Sequence, residues 1–433
     1  MTDGLRRTLG TLDLTLLTIG LVIGSGIFIV PAVVLRSSGG SMGLALGIWV
    51  VGGILSLLGA LTYGELGAMD AGSGGLYSYL RDAFGPWLAF LYGWTLLLVL
   101  ATGSVATLAA AAARYFGEFV TLGPVAQKLF SVAMIAVLGV VNVLSTRKSA
   151  TLQNAATAIK VSAILVMSGL LFALGSGGPP AAPAADSPSF MAGVGLAMIS
   201  VLWAYEGWQY TTFAAGEALD PQRSFPRALV LGTLILIGLY VLANVAYVAA
   251  LGGARVAASE RVAAEAVTTV VGPTAGRLVA GAIMISMFSA ALSIVITAPR
   301  VFYTMARDGL FFRKLAEVHP RFGTPAFAIV VGTLWAMVLA ATGTFEQLLT
   351  YVVFIGWIFY GLGAIAVIIL RHKRPDAPRP FRVPGYPVTP IVFTLAALAI
   401  VGNTIATRPR DVALGLLVVA LGLPAYLIWR RKK

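Results

Sequence analysis

Cysteine is absent from the 433 residues. Its absence excludes disulfides, thiolate metal sites and a cysteine nucleophile. Histidine occurs twice, His319 and His372, each in a basic segment between apolar runs. A histidine metal centre or proton relay inside an apolar span is therefore not expected, and no metal or cofactor is. Charge is scarce: Asp, Glu, Lys and Arg make up 11% of the chain and hydrophobic residues 58%, where soluble proteins carry roughly a quarter charged residues. Such a chain belongs in a lipid bilayer. The net charge of +13 is scattered over short loops. It speaks for membrane orientation and against a nucleic-acid partner, which would need a basic soluble face. An enzyme buried at this depth would need a nucleophile and a base that no His or Cys can supply, and a channel would need a continuous polar path, whereas polar residues are scattered.

Long apolar runs are present instead. About 20 apolar residues cross a bilayer, and twelve spans are predicted: 12–35, 44–63, 83–113, 129–145, 151–175, 190–216, 228–253, 278–299, 322–344, 347–370, 388–407 and 412–429. Arg6 and Arg7 before the first run resemble a signal peptide, but the run is longer than a signal core and is expected to stay as the first helix. The third run is long enough to imply tilt. The widest gaps, 176–189 and 254–277, leave no room for a soluble domain, so residues 1–433 form one transmembrane domain. With the N-terminus inside, inner segments hold 21 of the 30 Lys and Arg and outer ends 8, with Lys160 inside a span. Both termini are thus expected on the cytoplasmic side.

Two spans are interrupted. Gly24, Ser25 and Gly26 stand together in the first, within IGLVIGSGIFIVP, and Glu206 and Gly207 interrupt the sixth, within WAYEGW. Each opens a group of five spans. Five is odd, so the second group (190–370) runs inverted relative to the first (12–175), with the helices in 388–429 outside the repeat. Interrupted helices at matching places in inverted halves point to a transporter binding site. A broken helix exposes free carbonyls at one half and free N–H groups at the other, with opposite partial charges. Two such breaks side by side suit a carboxylate next to an ammonium, which is an α-amino acid. Gly20 and Gly24 also have the small-xxx-small spacing that lets helices pack closely.

Lys160 is the next anomaly. A lysine near the centre of a spanning helix costs roughly 2.5–3.5 kcal/mol on insertion scales and is functional by default. The bland alternatives are bonding to carbonyls or snorkelling. Ser286 and Ser289 could face it, or bond back to their own helix. Glu206 has three open readings: an acceptor for unwound backbone N–H groups, a partner for a cationic substrate side chain, or a proton carrier. Glu65 and Glu217 read as organisers of interfacial loops. Trp203 and Tyr205 flank the second break, as a gate or as packing.

IGLVIGSGIFIVP, GALTYGELGAMDAGSGGLYSYLRDAFG, WAYEGWQYTTFAAGEALDPQRSFPRAL and APRVFYTMARDGLFFRKLAEVHPRFGTP together resemble the L-type amino acid transporter family of the amino acid–polyamine–organocation superfamily, over nearly the whole chain. The resemblance implies an all-α membrane protein of twelve transmembrane helices, a five-plus-five inverted repeat with discontinuous helices 1 and 6 plus two C-terminal helices, and alternating access around the breaks. By motif match it implies that the N–H groups of Ser25, Gly26 and Ile27 take the substrate carboxylate. The carbonyls of Ile23, Trp203 and Ala204 would take the ammonium, and Gly24, Tyr205, Glu206 and Gly207 complete the site. It also implies Trp203 as gate, and Lys160, beside Gly20, Ser286 and Ser289, in place of a coupling sodium. The expected activity is sodium-independent exchange or uniport of neutral amino acids across a bacterial or archaeal inner membrane. The alternatives are a proton-coupled symporter, or a cationic amino acid or polyamine carrier using Glu206. Eukaryotic members join a heavy chain through a cysteine between spans 3 and 4, which this chain lacks.

Overall fold

The structure is a computed structural model that describes residues 8–70, 72, 74–144, 149–181, 190–320 and 324–430, with the side chains of 149–152 and 430 excepted. Among the described residues it is helical, with no strand beyond an isolated bridge between Leu9 and Ala218. In chain order the helices are α1 (Thr11–Val22), α2 (Gly26–Ser37), α3 (Met42–Met69), α4 (Leu76–Phe84), α5 (Pro86–Thr95), α6 (Ala101–Phe116), α7 (Pro124–Leu144), α8 (Ser149–Leu174), α9 (Phe190–Ala204), α10 (Pro221–Ala258), α11 (Val262–Val271), α12 (Pro273–Thr297), α13 (Pro299–Arg307), α14 (Ala326–Thr342), α15 (Phe345–Lys373), α16 (Val388–Thr407) and α17 (Pro409–Arg430). A π turn at Leu96–Leu100 joins α5 to α6, and a 3-10 helix at Trp208–Glu217 follows α9.

Among the described residues, ten helices are long and apolar enough to cross a bilayer, or eleven when the bent pair α1 and α2 counts as one span. The ninth expected span is α14, apolar but only 17 residues long. At 1.5 Å per residue it is about 25 Å long, just short of a hydrocarbon core of about 30 Å. Several of the basic residues in the orientation argument (Arg6, Arg7, Arg147, Lys148, Arg321, Arg431, Lys432 and Lys433) lie outside the described residues, as do residues 182–189 of the gap at 176–189.

Two expected boundaries are corrected. The third span begins at Pro86, not Ala83. Gly85 has φ +96° and Pro86 opens a new helix, so α4 is a separate short helix whose apolar face is buried. The expected loop at 254–277 is largely helical: α10 runs on to Ala258, and α11 buries Val262, Ala263, Ala264, Ala266 and Val267.

Burial sorts the spans. The α5–α6 span is 89% buried over its most apolar window and α15 is 72% buried, whereas α17 is 22% buried. The first two are core helices, and α17 leaves most of its apolar surface exposed. The broken spans pack within this core: α1 lies against α8, α10 and α12, and α2 against α9. Glu65, fully buried at the end of α3, receives Arg371 through two bonds of 2.8 and 2.6 Å and the Val383 N–H at 2.7 Å. The loop-organising reading of Glu65 holds. It ties α15 and the segment before α16 to α3.

Candidate functional site

The first break is a bend of 50° between α1 and α2. Ile23 leaves helical geometry at ψ 88°, and the Gly24 N–H folds back onto the Val22 carbonyl at 2.8 Å. The N–H groups of Ser25, Gly26 and Ile27 make no hydrogen bond among the described residues, although all three residues are buried. They are the uncapped donors of a helix start. Buried backbone donors are rarely left without a partner.

The second break follows α9. Its last helical residue is Ala204, Gly207 adopts φ +129°, and a tight 3-10 helix replaces the α-helix. The two breaks touch. A Cβ on Gly26 would sit 2.3 Å from the Ala204 Cα, and one on Gly207 would sit 2.7 Å from the Leu21 carbonyl oxygen. Glycine is required at both positions, at Gly207 also by its positive φ.

Between them lies a cavity of about 20 Å³, lined by Leu21, Val22, Gly24, Ser25, Gly26, Ser104, Leu108, Trp203, Glu206, Gly207, Tyr210 and Ile294. That is room for about one water. Among the sequence-predicted residues, Gly24, Ser25, Gly26, Trp203, Glu206 and Gly207 line it, and Ile23, Ile27 and Ala204 are their chain neighbours. Trp203 closes over the first break, its Nε1 donating to Ser25 Oγ at 3.1 Å. Tyr205 is turned elsewhere, its ring packing on Trp49 and Tyr240 with centroids 6.0 and 5.0 Å away.

The three carbonyls expected to take an ammonium already hold donors. Trp203 O accepts the Glu206 N–H at 3.0 Å, and Ala204 O accepts the Tyr240 hydroxyl at 3.0 Å. Ile23 O accepts Lys160 Nζ at 3.3 Å and Ser286 Oγ at 3.4 Å. A carbonyl has two lone pairs, so Trp203 and Ala204 keep one each, whereas Ile23 is fully engaged. Lys160 also donates to Gly20 O at 3.3 Å. It is a buried lysine whose Nζ is bound to the open end of α1, one of the alternatives in the sequence reading. Ser286 meets it through a shared carbonyl, while Ser289 makes no bond to Lys160 and its carbonyl accepts Ser293 Oγ. A Cβ on Gly20 would come within 2.3 Å of Thr157 Oγ1, so Gly20 is also a packing position between α1 and α8.

Glu206 does not accept backbone N–H groups, which corrects the first of its three readings. Its Oε1 accepts the Tyr360 hydroxyl at 2.5 Å and Gln209 Nε2. The Gly207 N–H goes instead to Gln209 Oε1 at 3.1 Å. Sequence reasoning missed Gln209, Tyr360, Tyr240, Ser104 and Tyr210. Gln209 carried a signal, a polar residue one turn past Glu206 in an apolar span. Tyr360 and Ser104 come from distant spans, and nothing local marked them.

The two ends of the site differ. At the Leu9 end, the N–H groups of Thr8 and Leu9 donate to Glu217 O at 2.9 and 3.0 Å, Leu219 N–H donates to Leu9 O at 2.9 Å, and Arg300 pairs with Glu217. The cavity there is about 70 Å³. At the Arg36 end, a cavity of about 690 Å³ reaches down to Ile29 and Ile199.

Comparison with known proteins agrees with this arrangement. The amino acid permease family model matches residues 9–422. The chain is 31% identical to a serine/threonine exchanger of Bacillus subtilis (strain 168), covering all of this chain and 98% of that one. It is 33% identical to the mouse b(0,+)-type amino acid transporter 1, over 94% of this chain and 84% of that one. It is also 33% identical to the human cystine/glutamate transporter, over 99% and 87%. A match of this length, on a chain of apolar helices with paired breaks, places the protein in the amino acid permease family, among the L-type transporters of the amino acid–polyamine–organocation superfamily.

Proposed function

We propose that the protein exchanges neutral L-amino acids across the cytoplasmic membrane of a bacterium or archaeon, without sodium and by alternating access. The observation that carries this is the row of unpaired, buried N–H groups at Ser25, Gly26 and Ile27, facing a second break that keeps acceptor capacity on Trp203 and Ala204. A carboxylate fits the donors at a helix N-terminus, and an ammonium fits the carbonyls. One relative, named as a serine/threonine exchanger, supports exchange of neutral amino acids. Lys160 Nζ occupies the end of α1, which leaves no need for a sodium ion there.

With both termini inside, as the basic loops argue, the wide cavity faces out and the Glu217–Arg300 seal faces in. The structure is then an outward-facing state with a collapsed site. Substrate entry moves Trp203 off Ser25, and release inward breaks the Leu9–Glu217 contacts. No cysteine is available for a heavy-chain disulfide, so the protein works without one.

Counterflow in proteoliposomes tests the proposal. Labelled amino acid should enter only when unlabelled amino acid is loaded inside, with sodium or without it. Uptake that requires sodium removes the role given to Lys160. A second reading, proton-coupled symport, is favoured by one observation: Lys160 and Glu206 are both buried and bonded only to neutral groups. Uptake driven by an imposed proton gradient without internal substrate would establish it over exchange.

A further inference from the structure

The wide cavity at the Arg36 end carries charge that the site at the breaks does not use. Its volume of about 690 Å³ falls within the roughly 300–1,000 Å³ of small-molecule sites. Its charged lining is Arg36, Arg114, Arg261, Arg408, Glu260 and Glu346. Most of these are paired. Arg114 holds Glu346 at 2.6 Å, Arg261 holds Glu118 at 2.7 Å, and Arg408 lies 3.8 Å from Asp411. Two are left over. Arg36 makes no ion pair among the described residues, and its one hydrogen bond there runs from Nη1 to the Ala257 carbonyl. A guanidinium has five N–H donors, in a fork that matches a carboxylate. Glu260 is exposed and makes no hydrogen bond or ion pair among the described residues. It is one of the two carboxylates that act on the charge of Arg36, and the other, Glu346, is taken by Arg114. The mouth of the cavity thus sets one unpaired cation near one unpaired anion.

We infer that Arg36 and Glu260 form an outer station for a zwitterionic amino acid, separate from the site at the breaks. The α-carboxylate goes to the fork of Arg36 and the ammonium to Glu260. The side chain is left free, so the station accepts neutral amino acids of every shape. A purely anionic solute is repelled by Glu260, and a purely cationic one by Arg36. Arg36 stands ten residues beyond Gly26 on α2, about 15 Å at 1.5 Å per residue. One serine cannot touch both Arg36 and the N–H groups of Ser25, Gly26 and Ile27, so the two stations hold separate molecules. The cavity connects them. It reaches Ile29 on α2, and Ile199 and Ser200 one turn before Trp203 on α9. An amino acid held at the mouth therefore waits above the Trp203 ring that covers the first break.

The inference rests on the proposed exchange, and its test separates the two. Serine is titrated calorimetrically into the detergent-solubilised protein, and counterflow is run on the same preparation. Wild type should bind two serine molecules, one tightly at the breaks and one weakly at the exposed station. Glu260→Gln and Arg36→Gln should each weaken the second event by about fivefold, the upper end for an exposed ion pair, and leave the first unchanged. Gly26→Val should do the opposite, removing the tight event and keeping the weak one. Acetate, which carries only half of the zwitterion, should compete for the weak event far less well than glycine. A single event in a wild type that exchanges, or a weak event unchanged in both charge variants, overturns the station and leaves exchange standing. Acetate competing as well as glycine overturns the part given to Glu260. If wild type neither binds nor exchanges any amino acid, the exchange reading falls and the station with it. Should Arg36→Gln not fold, Arg36→Lys keeps a donor for Ala257 but loses the fork, and the weak event should weaken there too.

Discussion

The two helix breaks meet at one cavity but are built in opposite ways. Between α1 and α2 the chain offers only Ile23, Gly24 and Ser25. No side chain there reaches the backbone donors, and three N–H groups stay unpaired. Between α9 and the 3-10 helix, Gln209 takes the Gly207 N–H, and Glu206 is held by Gln209 and Tyr360. The first break leaves three backbone donors unpaired, whereas the second pairs its Gly207 N–H internally and also presents a carboxylate side chain. The difference teaches a division of labour. Under the proposed function, backbone groups would recognise what every amino acid shares, and side chains what differs.

The sharpest way to break this comparison is at the contact between the breaks. Gly26→Val would drive a Cβ into Ala204. Exchange should fall more than about 100-fold for every substrate, since a misplacement of about 1 Å in a positioning element costs that much. Counterflow of several amino acids checks it, and near-normal rates would mean the close approach is dispensable. Outside the breaks, Glu65→Ala strips Arg371 of a fully buried partner. Breaking a buried pair in this way costs about 3–5 kcal/mol, so the Tm in detergent should drop by several degrees.

Smaller effects sharpen the comparison. Lys160→Ala removes a donor from the Gly20 and Ile23 carbonyls at the first break, leaving Ser286 on Ile23. It should lower kcat/KM for serine, alanine and leucine together, by about tenfold, the worth of a single charge-assisted bond. Their ratios should stay as they were, and a change in ratio would tie Lys160 to side-chain choice. Glu206→Gln acts at the second break and should do the reverse, changing the ratios by about three- to tenfold with less effect on the common rate. If the preference is unchanged, Glu206 is not a selector. Glu217→Gln weakens the partly exposed pair with Arg300. Such pairs contribute about 0–1 kcal/mol, so transport should change no more than about fivefold, in favour of inward opening.

Much of the fold was legible because its signals are local. Eleven of the twelve expected spans coincide with helices that pass the length and hydropathy test, counting α1 and α2 together. Both interruptions fall where Gly24–Gly26 and Glu206–Gly207 marked them. The early start of the third span at Ala83 was misread because an apolar count passes over Gly85 and Pro86, whereas the backbone cannot. The helix α11 was missed because its apolar residues are few and its loop carries charge. Lys160 was recognised as anomalous from its depth alone, but its bonds to Gly20 and Ile23 were one alternative among several.

The site divides in the same way. Length and hydropathy by themselves determined that the chain crosses a membrane, since a hydrocarbon core of about 30 Å demands runs of about 20 apolar residues. They also located the breaks, since glycine acts on the backbone where it stands. Which side chains meet at the breaks was decided only by the tertiary structure. Tyr360 reaches Glu206 across 154 residues, and Ser104 and Tyr210 enter one cavity from different spans. In a bilayer, lipid-facing and core-facing surfaces are both apolar. Hydropathy therefore does not encode how each helix is rotated about its axis, and that rotation alone sets which polar atoms face the cavity.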